Sequence, residues 1–375
     1  MPKMTVRKKR AILAQLCQCG EAIKKDQQLV RSLIDERMSF VPHKKLYKFR
    51  TCTEKNFNTL EENCIWMSSG DSFPDLFDCT INIDFFRNQK EIKAWLNEEF
   101  PVLCFELSKK VFEDRGISVP YTHSDFMEYT TTCLDNKGNP IPEKEENFLR
   151  AHASPEELAQ MNDILDQLKT LRKRFAEHED TMFTAIVDAI NQVRTHMRSK
   201  MLIYCMTEHY DNHSLWENYA NNYSGFCVEY DFSRYGEHDF DDYKNLVFLL
   251  PMTYRQTKPY FDIVPFFDGA IRGSIYGDST WKTNPELNTD LNMQLYYKRK
   301  EYSFEREWRF SINNAGNNKQ YFPFVKAIYA GKDISSENLN RLHTIAKKLS
   351  VPVYRQTTNR YRNGFDYILV EEAEQ

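Results

Sequence analysis

The sequence predicts an α+β protein: a mixed, mainly antiparallel sheet core with an N-terminal helical element and an inserted helical hairpin. Three observations carry this. Short strand-like stretches recur with no regular strand-helix-strand rhythm. Apolar residues in the first 45 positions fall at helical intervals, and the pattern from about 143 to 200 is helical throughout. The chain accordingly divides into a basic helical element over 1–45, a first part of the core over 46–142, a helical insertion over 143–200 and a second part of the core over 201–375.

In order along the chain, Ile12, Leu16, Ile23, Leu29, Leu33 and Ile34 predict a helix or helical pair before Pro42, with Gly20 a possible break. Leu46 to Arg50 alternates like a strand, Thr53 to Asn63 reads as a helix, and Cys64 to Ser68 reads as a second strand. Asn88 and Glu91 suit a capping box for a helix carrying Ile92 and Trp95, followed by a strand over Pro101 to Phe105. Turn formers fill Asp135 to Pro142. Ser154-Pro155-Glu156-Glu157 then supplies a strong helix start, and the stripes Leu158 to Phe175 and Met182 to Met197 predict the two arms of a hairpin. Such a stripe is ordinary core or a surface for a partner protein. Further strands are expected at Met201 to Met206, Gly225 to Tyr230, Leu246 to Tyr254, Trp308 to Ile312, Val325 to Tyr329, Val351 to Arg355 and Tyr367 to Val370. A helix capped by Ser335 or Ser336 lies between the fifth and sixth of these.

Composition narrows the function classes. Nine scattered cysteines, odd in number and without a signal-peptide pattern, fit a reducing cytoplasm, and Cys17-x-Cys19 lacks the second ligand pair that zinc needs. No apolar stretch is long enough to span a bilayer. Eleven Lys and Arg against four Asp and Glu make residues 1–45 basic, and the run Arg7 to Arg10 is either a solvated helix end or an approach to a polyanion. Walker-type loops and G-x-G-x-x-G are absent, so the usual glycine-built phosphate cradles are missing.

Four separated motifs remain: Leu46-Tyr47-Lys48-Phe49-Arg50; Phe73 to Asp78; Leu215-Trp216-Glu217-Asn218-Tyr219-Ala220 leading to Gly225 to Tyr230; and Glu305-Arg306-Glu307-Trp308-Arg309. In order and spacing, over residues 46–370, they resemble the uncharacterised bacterial family known as domain of unknown function 2971. The second motif departs from that family's pattern, with Pro74 in place of Asn and Leu76 in place of Pro.

Glu305 and Glu307 stand two apart, so on a strand they would share a face, where like charges tend to raise one pKa. Paired to bases such as Lys298 or Arg299 they would be purely structural. With Arg50 ending an early strand and Ser68 ending the next, Glu307 is similar in order and element type to the arginine-serine-glutamate signature of ADP-ribosyltransferases. That resemblance implies NAD as substrate, with Glu307 and Glu305 catalytic and with Arg50, Ser68 and Arg309 as contacts to the dinucleotide. Tyr47, Trp216 or Tyr219 would form the wall against nicotinamide. It implies transfer to a macromolecular acceptor, protein or nucleic acid, in a bacterial antiphage-defence or toxin setting. The alternatives are a metal-dependent nuclease or phosphodiesterase, with Asp75, Asp78, Glu229 and Asp231 as hard ligands, and a non-catalytic sensor or binding module. His209 and His213 read as surface histidines.

Overall fold

Alternation in Lys45–Arg50 makes a strand, β1, that buries Tyr47 and Phe49 on one face and Leu46 on the other. In the computed structural model, the described residues are 3–73, 75, 77–84, 86–87, 89–95, 122–133, 135, 141–152, 170, 181, 184, 187–189, 191–276, 285–313, 316–361 and 364–370. They fall into two compact units. One comprises 1–82, 194–259 and 288–375, and the other 83–193 and 260–287.

The first unit is built on a nine-stranded sheet. Its further strands are β2 (Cys64–Trp66), β3 (Ser68–Ser69), β4 (Met201–Thr207), β5 (Phe226–Asp231), β6 (Leu249–Pro251), β7 (Thr253–Arg255), β8 (Tyr297–Arg299), β9 (Glu307–Asn313), β10 (Lys319–Tyr321), β11 (Val325–Ala330), β12 (Val353–Asn359) and β13 (Gly364–Leu369). The large sheet runs β13-β12-β11-β5-β1-β4-β9-β6, with β3 also paired to β4; β2 with β10 and β7 with β8 form two small sheets. Every pairing in the large sheet is antiparallel except β11 with β12, which are joined by the helix Ser336–Leu349. Ser335 caps that helix by accepting from the Asn338 amide, and Leu342, Ile345 and Ala346 face inward.

The α+β expectation holds, with changes of detail. Cys64 to Ser68 is not one strand but two, paired to different partners. Leu246 to Tyr254 is a short 3-10 helix over Lys244–Phe248 followed by β6 and β7, which belong to different sheets. The N-terminal helices α1 (Val6–Cys19) and α2 (Gln27–Met38) are part of the sheet unit. Lys9 is buried and donates from Nζ to the Pro251 carbonyl and to Thr253 Oγ1, the latter at 2.6 Å. Lys8 pairs with Glu36, and Arg10 with Asp290 at 2.9 Å. Three members of the basic run are therefore used inside the unit.

Within the second unit, Thr122 and Asp125 form a capping box for the helix His123–Thr132, a second helix spans Pro142–His152, and residues 191–193 are helical. Trp95 packs edge-on against Phe267 of the helix Val264–Tyr276 and donates from Nε1 to Asp268 at 3.0 Å. The hairpin expected over 154–200 falls largely outside the described residues, as does the strand expected at Pro101 to Phe105.

Candidate functional site

The register of the sheet decides which side chains can meet. Tyr47 lies opposite Thr207, and Thr207 opposite Glu307; two residues on, Cys205 lies opposite Arg309. Directly paired residues point to the same face, so Tyr47, Thr207, Cys205, Glu307 and Arg309 share one face. Lys48, Arg50, Tyr204 and Trp308 share the other.

Glu305 reaches the first face by a different route from the one its spacing suggests. It ends a 3-10 helix over Lys300–Glu305, and Arg306 adopts a left-handed conformation (φ 42°) before β9 begins at Glu307. The two carboxylates are thus not strand neighbours two apart. A turn brings them together, and three bonds clamp it: Thr207 Oγ1 to the Glu305 carbonyl (2.6 Å), Asn212 Nδ2 to the Phe304 carbonyl (2.8 Å) and the Glu307 amide to the Tyr254 hydroxyl (2.7 Å).

Between them stands Lys298. Its Nζ lies 2.5 Å from Glu305 Oε2 and 2.8 Å from Glu307 Oε2. The other Glu307 oxygen accepts from Arg309 Nε at 2.5 Å, and Arg309 Nη2 donates to Asp78 Oδ2 at 2.7 Å. The other Glu305 oxygen accepts from the Tyr219 hydroxyl at 2.9 Å. The result is a chain of alternating charge, Asp78, Arg309, Glu307, Lys298 and Glu305, ending on a phenol.

Burial would push every one of these groups toward its neutral form, and the neighbours decide the outcome. At Glu307 burial raises the pKa, but Arg309 and Lys298 outweigh it and hold the carboxyl well below the usual carboxylate range. At Glu305 burial prevails with help from Glu307 against the pull of Lys298, and the carboxyl is raised above its ordinary value. Burial lowers Lys298, yet Glu307 and Glu305 keep it above the ordinary lysine value. Burial and Glu305 together push the Tyr219 hydroxyl up. Two adjacent carboxyls are thus driven in opposite directions.

These groups border a cavity of about 480 Å³. Its walls are aromatic, from Tyr47, Phe49, Phe73, Phe77, Tyr219 and Tyr302, and Glu305, Glu307, Lys298 and Thr207 supply polar lining together with Lys48, Asp75, Asp78 and Arg299. Tyr219 is 46% exposed and Phe77 69% exposed, so the wall meets solvent. The volume falls within the roughly 300–1,000 Å³ of small-ligand sites.

Of the residues expected to react with or bind the dinucleotide, Glu305, Glu307, Tyr47 and Tyr219 meet here, and Asp75, Asp78, Lys298 and Arg299 also line the cavity. Others do not. Arg50 lies on the opposite face of the sheet, bonded to the Tyr204 hydroxyl at 3.1 Å and to Asn56 Oδ1 at 3.3 Å. Ser68 pairs by its backbone with Ile203 and is not among the cavity-lining residues. Trp216 is a core residue, wholly buried against Phe49 and Tyr223, with its Nε1 donating to the Tyr210 carbonyl at 2.7 Å. Arg309 is fully buried beneath Phe73 and spends its guanidinium on Asp78, Glu307 and the Leu295 carbonyl, so it orders the carboxylate rather than lining the cavity. Asp75, Asp78, Glu229 and Asp231 do not assemble as metal ligands. Asp78 serves Arg309, Asp75 lies 3.4 Å from Arg299, and Glu229 holds Lys45 and the Tyr329 hydroxyl. Among the described residues no group of three or more His, Cys, Asp or Glu is placed to hold a metal ion. His213 is exposed, while His209 is half-buried and meets Arg306 at 2.8 Å.

Lys298 and Thr207 are the central members that motif reading left out of the site. Lys298 was legible only as a structural partner of the two glutamates, which it is. Pro74 and Leu76, the departures in the second motif, lie outside the described residues. No curated protein and no solved structure matches the chain. Residues 215–310, which take in most of the helix before β5, the strands β5 to β8 and most of β9, match the family model described as protein of unknown function (DUF2971).

Proposed function

We propose that the aromatic cavity is the active site of an enzyme that breaks the glycosidic bond of a nucleotide-type substrate, with NAD as the candidate. The observation that carries this is the pair of buried carboxyls at one lysine with pKa values pushed apart. Divergent pairs of this kind divide the roles of proton carrier and fixed charge. Glu307, ionised across the working pH range, is the fixed anion beside which positive charge develops on the ribose. Glu305, with its higher pKa, is the better base. In the reaction the hydroxyl of water or of a macromolecular acceptor bonds to the ribose C1′, and the C1′–N bond breaks. Its electron pair leaves with neutral nicotinamide, and the acceptor's proton passes to Glu305. With Asp78 and both glutamates ionised, the five charged groups sum to −1, which suits the cationic pyridinium, and Tyr47 and Tyr219 offer flat faces to it.

The three-residue signature of ADP-ribosyltransferases does not support the reading in the form expected, because Arg50 and Glu307 are on opposite faces of the sheet. The carboxylate pair carries it instead. Transfer to an acceptor, rather than hydrolysis, and a defence or toxin role are proposals that rest on this chemistry alone.

The test is release of nicotinamide from NAD by the wild type, Glu305→Gln and Tyr219→Phe. Removing the base costs about a hundred- to ten-thousand-fold in rate, and Tyr219→Phe, which removes only an orienting bond, costs much less. A wild type that releases no nicotinamide and gains no thermal stability from NAD would sink the proposal.

A further inference from the structure

On the sheet face that carries Tyr204, three cations gather with no carboxylate paired to them, although Lys48 also borders the cavity. Lys48 and Arg50 are half-buried on β1, and each stands 5.1 Å from the centre of the Tyr204 ring. Lys55, the second residue of the helix Glu54–Glu61, lies 3.6 Å above the Trp66 ring. The Tyr204 hydroxyl bonds both Arg50 (3.1 Å) and the Tyr230 hydroxyl (2.9 Å), which fixes the guanidinium against the sheet.

Acidic residues stand nearby but are engaged elsewhere. Glu54 pairs with Arg341 (2.7 Å), Glu61 with Lys348 (3.1 Å) and Glu62 with Lys319. Among the described residues the ammonium groups of Lys48 and Lys55 have no hydrogen-bond or ion-pair partner, and the side-chain partners of Arg50, Asn56 and Tyr204, are neutral. Burial lowers Lys48 to about 8, with Arg50 adding to it and Cys205, Glu307 and Glu305 opposing it, and burial and Arg50 together lower Lys55. Holding like charges together costs stability unless an anion joins them, and such uncompensated clusters mark binding sites more often than scattered surface charge does.

We propose that Lys48, Arg50 and Lys55 form a binding site for a phosphate-bearing small anion, on the sheet face that carries Tyr204. A planar guanidinium fixed by a phenol and two flexible ammonium groups match a tetrahedral oxyanion. Free phosphate and the phosphate of a mononucleotide share this chemistry, and the half-buried Trp66 beside Lys55 gives a nucleotide base a surface to stack on. The inference does not depend on the reaction proposed at the cavity.

The experiment follows the melting temperature of the full chain against inorganic phosphate, adenosine monophosphate and, at matched ionic strength, sodium chloride, for the wild type, Lys48→Met and Lys55→Met. The expected result is a saturable rise of about 4 °C or more with phosphate and a smaller, non-saturating response to chloride. Each substitution weakens the apparent affinity at least tenfold. Lys48→Met alone also melts at or above the wild-type temperature without phosphate, because it removes repulsion. Tighter binding of the mononucleotide assigns the anion to a nucleotide, and equal binding assigns it to free phosphate. Lys55 is exposed, so its substitution reports even where Lys48→Met fails to fold. An equal rise with chloride, an unchanged affinity in Lys55→Met, or binding of a single-stranded oligonucleotide that saturating phosphate does not displace would overturn the proposal.

Discussion

Glu307 and Glu305 differ in what remains free. Both oxygens of Glu307 are spent on buried cations, whereas Glu305 shares one oxygen with Lys298 and gives the other to a phenol at the mouth of the cavity. The two residues therefore fail differently when neutralised. Glu307→Gln leaves Arg309 and Lys298 short of countercharge in the interior and should cost about 3 kcal/mol or more in stability, measured by urea unfolding. Glu305→Gln leaves Lys298 its bond to Glu307 and should cost about 1 kcal/mol or less. The acid limb carries the same signature. The folded pKa of Glu307 lies below its unfolded value of about 4.3, so its stabilisation is complete above that pH and is lost as pH falls below it. Glu307→Gln should flatten that limb; an unchanged limb would mean the ion pairs contribute nothing. The distinction between the two glutamates was only partly legible in the sequence: the resemblance singled out Glu307, but the spacing placed both on one face of a strand. Nothing in Glu-Arg-Glu announces that the arginine takes a left-handed conformation that residues other than glycine and asparagine seldom adopt.

At the scale of elements, the turn from the helix His213–Tyr219 into β5 sets the position of Tyr219. Asn221, Asn222 and Tyr223 are all left-handed, with φ of 46°, 50° and 65°, and the Gly225 amide closes the turn on the Ala220 carbonyl at 2.8 Å. A Cβ on Gly225 would stand 2.2 Å from the Arg50 carbonyl and 2.9 Å from that of Ala220, both backbone atoms that cannot yield cheaply. Gly225→Ala should destabilise by about 1–3 kcal/mol, read as a lower urea midpoint with an unchanged slope, and an unmoved midpoint would show that β1 and β5 can part there. Elements of this kind were partly legible. The alternation in β1, the cap at Ser335 and the strand at Trp308 to Ile312 lie where periodicity places them. The site was less so: Arg50 has the right order along the chain but emerges on the other face, which order does not specify, and Ser68, paired with Ile203 farther along β4, shares the face without lining the cavity. A shift of one residue reverses the face.

For the molecule as a whole, one buried and two half-buried lysines govern the alkaline response. Burial, aided by Arg309, lowers Lys9 to about 7, and burial lowers Lys48 and Lys258 to about 8. In the unfolded chain these titrate near 10.4, so between about pH 7 and 10 the unfolded state holds more protons and stability rises with pH. Lys298 has the opposite sign. Its folded pKa lies above the unfolded value, so its stabilisation is present below about pH 10.4 and is lost above it. The melting temperature should climb from pH 7 to about 10 and then fall, and Lys9→Met should reduce the climb; a flat profile would contradict the burial of these ammonium groups. The central claim, that the cavity divides its work between a basic Glu305 and a permanently ionised Glu307, is tested most directly by the pH dependence of nicotinamide release from NAD. The account predicts that the wild-type rate falls as pH drops through a pKa above the ordinary carboxylate value of about 4.3, and that Glu305→Gln is slow and lacks this limb. A wild type with no turnover, or a Glu305→Gln protein that keeps both the rate and the limb, would contradict it.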